Sequence, residues 1–364
     1  MTATLRDVAK LAGVSISTAS RALREDQARP VAMGTQERIR EAARQLGYEP
    51  NDAAQHLVRG MDDQRRRTNS VGFVLGNVSY KFSDPFWSPV LDGVDDELIR
   101  HGYHLGFAVT VDDLKRLQQR RLLTRAHIDG LILAGIRPFG KGIGRERTVV
   151  IEGGDDRVRW DQHAPVDVIT IEKRRAMYRL VGHLVALGRR RFAFLGPPPS
   201  QDERAEAFVQ ALACHELPLD PAYCIPTPWS AEGAYPFAKA VLTSADVPDA
   251  LVCGCDTIAI GAMRAAKERG LRLPDDLAIT GFDDIPFARD LDPPLTTVRV
   301  PKETMGVVAA RKLMERIGQP TLAPVVQVIP TGLVVRASCG APTGRSARAR
   351  VTMDMDGRGV IASL

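Results

Sequence analysis

The sequence predicts an α/β protein with parallel sheets and a separate block of three short helices at its N-terminus. Three observations predict it. From Ser70 onward, short apolar runs alternate with amphipathic helical stretches, the pattern of parallel sheets covered on both faces. Residues 1–50 instead repeat the i, i+3, i+4, i+7 stripe of surface helices. The length of 364 residues corresponds, at roughly 150 per domain, to two or three folding units.

In the N-terminal block, Leu5, Val8, Ala9 and Ala12 form one helical stripe, and Gly13 breaks it. Ser15 is a suitable N-cap for a second helix over about Ile16 to Arg24. A third helix carries Ile39, Ala42, Ala43 and Leu46 and stops at Gly47, with Pro50 beyond. Residues 51–60 allow one or two helical turns ending at Gly60, too few for a free helix in water. Residues 61–69 read as a polar linker.

Buried strands are expected at 71–75, 104–109, 131–134, 149–151, 168–171, 192–195, 251–253 and 278–280. Helices are expected at 88–101, 112–125, 173–187, 202–215, 232–243, 256–269 and 303–317. About 270 residues exceed what one such sheet organises, so residues 70–340 are expected to form two lobes. The tail 341–364 is rich in Gly, Ser, Arg and Pro, lacks heptads, and is expected to be disordered.

Composition excludes several classes. With 44% hydrophobic and 26% charged residues the chain is neither wholly disordered nor collagen-like. No apolar run approaches the roughly 20 residues that span a bilayer, and the N-terminus lacks a signal-peptide core, so no membrane association and a cytoplasmic location are expected. Five cysteines without CxxC spacing argue against a disulfide scaffold or zinc ribbon; no metal and no cofactor are expected. The net charge of +5 sits at the two ends. Residues 1–67 carry 12 Arg/Lys against 9 Asp/Glu, and residues 341–364 carry four Arg against two Asp, which leaves the middle neutral. The middle therefore lacks the field of a polyanion-binding surface.

Enzyme motifs are absent: there is no GxSxG, HExxH or Walker loop. Gly140–Gly144 reads as a flexible loop, adjacent Asp283 and Asp284 point apart in a loop, and Cys253 and Cys255 end a strand. No enzyme is expected.

The sharpest signal runs from Thr4 to Leu23. A helix, a glycine turn and a polar-starting second helix form a helix-turn-helix, whose second helix enters the major groove. Ser15, Ser17, Thr18 and Ser20 permit close approach to the duplex, and Arg21 can pair with guanine O6 and N7. On spacing alone, a small packing domain whose serines are only caps fits equally well.

The chain resembles the lactose/galactose repressor family of bacterial regulators from residue 4 to about 339. The matching motifs are Asp7-Val8-Ala9 through Val14-Ser15, Thr18-x-Ser20-Arg21, Gly47-Tyr48-Glu49-Pro50-Asn51, Asp84-Pro85-Phe86-Trp87, Asp129-Gly130-Leu131-Ile132, Gly281-Phe282-Asp283-Asp284 and Pro294-Leu295-Thr296-Thr297-Val298. The resemblance implies a DNA-binding head (1–50), a hinge helix (51–60) and a two-lobed periplasmic-binding-protein-like core (70–340). It places base reading at Ile16, Ser17 and Arg21, with Ser15 capping the recognition helix, and counts Ser15 and Asn51 among the DNA-binding residues. Leu57 falls on the hinge leucine that relatives wedge into the minor groove; an apolar wedge kinks DNA at the cost of unstacking. Phe86, Trp87, Glu152, Arg204, Trp229 and Asp283 are the implied effector contacts, with the second lobe formed mainly by residues 167–293.

Aromatic faces with Arg and carboxylates suit a sugar; a purine-like ligand is the runner-up. The implied partners are double-stranded, palindromic operator DNA, a small sugar and a second copy of the chain. A transporter's solute-binding protein is one competing class, opposed by the helix-turn-helix and the missing signal peptide; a sugar-modifying enzyme is another, which binding without turnover would dismiss. Four departures stand out. Cys255 replaces the usual Asn, Ala32 replaces the usual Ser cap of the third helix, 136–147 is glycine-rich where relatives have a helix, and there is no C-terminal leucine repeat.

Overall fold

The computed structural model describes residues 4–23, 31–46, 67–76, 84–116, 127–136, 147–152, 166–244, 246–341, 351–353 and 359–361. The chain divides into two units, 1–67 and 68–364. The hinge segment with Asn51 and Leu57, most of the linker, and most of 136–147 lie outside the described residues.

The first unit holds α1 (Leu5–Leu11), α2 (Ile16–Leu23) and α3 (Met33–Gln45). A capping box starts α1: the Asp7 N–H donates to the Thr4 hydroxyl at 3.4 Å while Asp7 Oδ2 accepts from the Thr4 N–H at 2.9 Å. Gly13, at φ +64°, makes the turn into α2, and Ser15 Oγ accepts from the Thr18 N–H at 3.1 Å. Helix α3 begins at Ala32 with no side-chain cap, as the missing serine implies. Val8, Ala9, Ala19, Ala22, Ile39, Ala42 and Ala43 are the buried core. The stripes read from the sequence thus converge in a small, alanine-rich core.

The second unit runs, in chain order, β1 (Ser70–Leu75), α4 (Trp87–Arg100), β2 (His104–Thr110), α5 (Val111–Arg116), β3 (Gly130–Ala134), β4 (Thr148–Ile151), β5 (Asp167–Ile171), α6 (Lys173–Ala186), β6 (Phe192–Gly196), α7 (Glu203–Cys214) and β7 (Cys224–Pro226). It continues with α8 (Ala231–Leu242), β8 (Ala250–Cys253), α9 (Asp256–Glu268), β9 (Ala278–Thr280), β10 (Thr297–Arg299), α10 (Lys302–Gly318), β11 (Val326–Ile329) and β12 (Gly332–Val334). One sheet has the order β11-β5-β4-β3-β1-β2 and a second the order β7-β6-β8-β9, all pairs parallel. Strands β1, β3, β4, β6 and β8 are buried along their whole length, which is why they read as unbroken apolar runs.

The second lobe falls mainly within the expected 167–293 but begins later: strand β5 belongs to the first sheet, and the second sheet starts only at Phe192. The chain therefore passes between lobes from β5 to α6, from the β9–β10 region to α10, and from β11 to β12, which pairs antiparallel with β10. Helix α10 returns to the first lobe and packs on α4. Gly93 and Gly306 make that crossing possible: a Cβ on either would fall within 2.2 Å of a carbonyl oxygen of the other helix. Arg316 of α10 is paired with Asp167 of β5 at 2.6 Å, both buried. The short strands β7, β10 and β11 had no apolar run to announce them. Within the expected helix 112–125, only α5 is described. In the tail expected to be disordered, Val351–Met353 pairs antiparallel with Gly359–Ile361.

Candidate functional site

In the first unit, Ser15, Ile16 and Ser17 are all exposed at the N-terminal end of α2, with Ile16 44% accessible. An apolar side chain in water at a helix start gains nothing from the head's own core. Ala19 and Ala22 on the opposite side of α2 supply that core. The Ser15 hydroxyl also lies 2.8 Å from both Ser17 Oγ and Thr18 Oγ1, so one residue organises the whole first turn. Arg21 lies on α2, but its side chain is outside the described residues, as are Asn51 and Leu57.

In the second unit, both sheets reverse strand order, the first between β1 and β3, the second between β6 and β8. Ligands of open α/β sheets bind beyond the strand C-termini at such points. The implied residues follow those ends. Phe86 and Trp87 form an edge-to-face pair with centroids 4.8 Å apart, held by Asp84 Oδ1, which accepts both their backbone N–H groups at 2.9 Å. The Trp87 ring covers Gly135 at the end of β3; a Cβ there would come within 2.9 Å of it. Glu152 follows β4, with Oε1 accepting from Thr170 Oγ1 at 3.2 Å and Oε2 lying 2.8 Å from Lys173 Nζ.

On the second lobe, Arg204 donates to Asp202 through Nε (3.0 Å) and Nη2 (2.7 Å), and to the Gly254 carbonyl through Nη1 (3.1 Å), at the end of β8. Its guanidinium lies 4.6 Å from the Trp229 ring centroid and 5.4 Å from that of Phe282. Burial opposes the arginine's charge, but the Asp202 carboxylate reverses this and raises its pKa, with Asp283 and Glu152 adding to the effect. Burial also acts on Asp202, whose pKa Arg204 nonetheless lowers. Asp283 is buried and its pKa is raised well above the usual range, by burial first and by neighbouring Asp256 second, with Arg204 and Lys302 opposing.

Glu152 and Asp283 share a backbone feature: φ is +49° and +114°. Non-glycine residues rarely adopt such values, and where they do the conformation is held against strain, commonly at functional sites. Cys255 caps α9 without a side-chain bond. Its thiol lies 2.9 Å from Thr257 Oγ1, and that hydroxyl donates to the Trp229 carbonyl at 3.1 Å. Burial pushes the thiol up to about 12, so it stays protonated. Through Thr257 this position is thus tied to the Trp229 backbone.

Charge effects tie Glu152 of one lobe to Arg204 and Asp283 of the other. Phe86 and Trp87 sit on the first lobe's wall, Trp229 on the second's, 47% exposed. Sequence reasoning missed Asp202, whose only signal was its place as helix N-cap, and Lys173, one of three consecutive cations at the start of a helix. Beside the cleft, a cavity of about 470 Å³ opens between Pro89, Asp284, Arg299, Lys302 and Arg336. Among the described residues, no three His, Cys, Asp or Glu are grouped to hold a metal ion, and no helix is long and apolar enough to cross a membrane.

Residues 4–51 match the family model "Bacterial regulatory proteins, lacI family", and residues 181–339 match a periplasmic binding protein-like domain. The ribose operon repressor of Haemophilus influenzae is 30% identical over 323 residues, covering 87% of this chain and 93% of that protein. The HTH-type transcriptional repressor CytR of Escherichia coli K12 is 28% identical over 351 residues, covering 93% and 97%. Among solved structures, the complex of the transcriptional regulator CelR with cellobiose superposes with a TM-score of 0.66 at 27% identity, covering 92% of this chain and 99% of that one.

Proposed function

This chain belongs to the lacI family of bacterial regulatory proteins, and from that premise we propose how its two units act together. It is a sequence-specific DNA-binding transcriptional regulator. In our reading it is a cytoplasmic homodimeric repressor of carbohydrate-utilisation genes. Helix α2 lies in the major groove with Ile16, Ser17 and Arg21 at base edges, and Leu57 wedges the minor groove at the centre of a palindromic operator.

The effector is a sugar held between Phe86, Trp87 and Glu152 on one lobe and Arg204, Trp229 and Asp283 on the other. The observation that carries this is the Arg204 clasp. Two bonds to Asp202 and one to the Gly254 carbonyl fix a donor plane at the switch point of the second sheet, stacked on Trp229. Aromatic faces take sugar C–H surfaces, and fixed donors and acceptors take hydroxyls. Because the ligand touches both lobes, it binds one lobe arrangement better than others. That differential affinity is what shifts the hinge and the operator equilibrium. Among the relatives, a ribose operon repressor and a cellobiose complex point to the same ligand class.

The test is a thermal-shift screen of mono- and disaccharides, nucleobases and nucleosides, followed by operator binding with each hit, using DNA selected on the protein. A sugar that both stabilises the protein and changes operator affinity is expected. A response to nucleobases alone replaces the sugar, and failure to select any DNA sequence removes the reading.

A further inference from the structure

Lys173 opens α6, which packs on α7 of the second lobe, yet its ammonium reaches the first lobe. Nζ lies 2.8 Å from Glu152 Oε2, with the lysine side chain 5% and the glutamate 14% exposed. Its charge also lowers the pKa of Asp202, the partner of Arg204. The next two residues behave differently. Arg174 and Arg175 are far more exposed and pair with Glu203 and Glu206, and with Glu172, respectively. Of three consecutive cations, only Lys173 is turned into the cleft.

A buried ion pair is a poor device for stability, since apolar residues of the same volume serve as well. At a ligand cleft it sets charge. Among the described residues, the two cations beside Asp202 and Glu152 are already matched. Arg204 holds Asp202, and Lys173 holds Glu152. Lys302 is engaged by the carbonyls of Asp283, Asp284 and Val300. An entering phosphate or carboxylate would meet paired cations and the carboxylates that pair them. A hydroxyl can donate to Glu152 without disturbing the balance.

We propose that Lys173 is a specificity-determining residue: by cancelling the Glu152 carboxylate across the two lobes, it sets the cleft for an uncharged polyhydroxylated ligand and against sugar phosphates and sugar acids. This rests on the reading of the cleft as the effector site.

The test uses the full-length protein and inorganic phosphate, with ionic strength held constant. Glu152→Gln keeps the shape and one acceptor but leaves the Lys173 ammonium uncompensated. Thermal midpoints against phosphate concentration should show a saturable rise in Glu152→Gln above the wild-type response, with phosphate affinity at least roughly tenfold tighter, as a new charge-assisted bond implies. The double variant Glu152→Gln/Lys173→Met should lose that gain. A wild-type response as strong as that of Glu152→Gln overturns the proposal, as does a gain that survives in the double variant. If Glu152→Gln does not fold, calorimetry on the wild type decides between ribose and ribose 5-phosphate, and between cellobiose and cellobionate. Any binding of the charged member as tight as its neutral parent overturns the proposal, and its exclusion supports it. Loss of the effector reading itself would show separately, as operator binding indifferent to every sugar.

Discussion

Asp202 and Arg204 are joined twice, Nε to Oδ1 at 3.0 Å and Nη2 to Oδ2 at 2.7 Å, while Asp202 also caps the helix that carries Arg204 by accepting its backbone N–H at 2.8 Å. One carboxylate thus fixes both the helix start and the guanidinium plane. A residue tied down before ligand arrives loses little entropy when it binds.

Lysine cannot reproduce that fork or the stack on Trp229. Arg204→Lys should weaken the effector on the order of 10- to 100-fold, the cost of one charged hydrogen bond. Operator affinity without effector should stay near native. Calorimetry and operator titration check this; unchanged effector affinity would move the site elsewhere.

In the head, Arg21→Ala should cost roughly 1–3 kcal/mol on the specific operator and little on random DNA. Equal losses on both sequences in a salt-controlled binding assay would assign Arg21 to phosphate or to the fold.

Helix α3 starts at Ala32 without a side-chain cap. Ala32→Ser should stabilise the head by about 0.5–2 kcal/mol. Hydrogen exchange of the α3 amides reads this directly, and unchanged protection would show that the first turn is satisfied otherwise.

Asp256 is raised to about 7, by burial above all, while its carboxylate accepts from Thr297 Oγ1 at 2.6 Å and the Ile285 N–H at 2.8 Å. The unfolded chain ionises this group near 3.8. Between those values the folded state binds more protons than the unfolded one. The contribution of this group to stability therefore falls as pH rises from about 4 to about 7, by an amount on the order of 4 kcal/mol, and levels off above. Asp256→Asn should flatten that slope in urea titrations across the window; a slope identical to wild type would mean the carboxyl ionises normally in the folded protein.

The sequence by itself determined what local pattern can carry. The stripes Leu5, Val8, Ala9 and Ile39, Ala42, Ala43 named the head's core because a 3.6-residue period marks one helix face. The fully buried strands announced themselves as apolar runs, and one motif of the family resemblance, Gly281-Phe282-Asp283-Asp284, put Asp283 just after a strand. The tertiary structure decided what depends on distant partners. Strand β5 joined the first sheet, three- and four-residue strands such as β10 and β11 formed only because neighbours offered them an edge, and Lys173 rather than Arg174 turned inward. Both are cations in the first turn of one helix. The Glu152 carboxylate, 21 residues away in sequence and 2.8 Å away in space, helps compensate the cost of burying one of them.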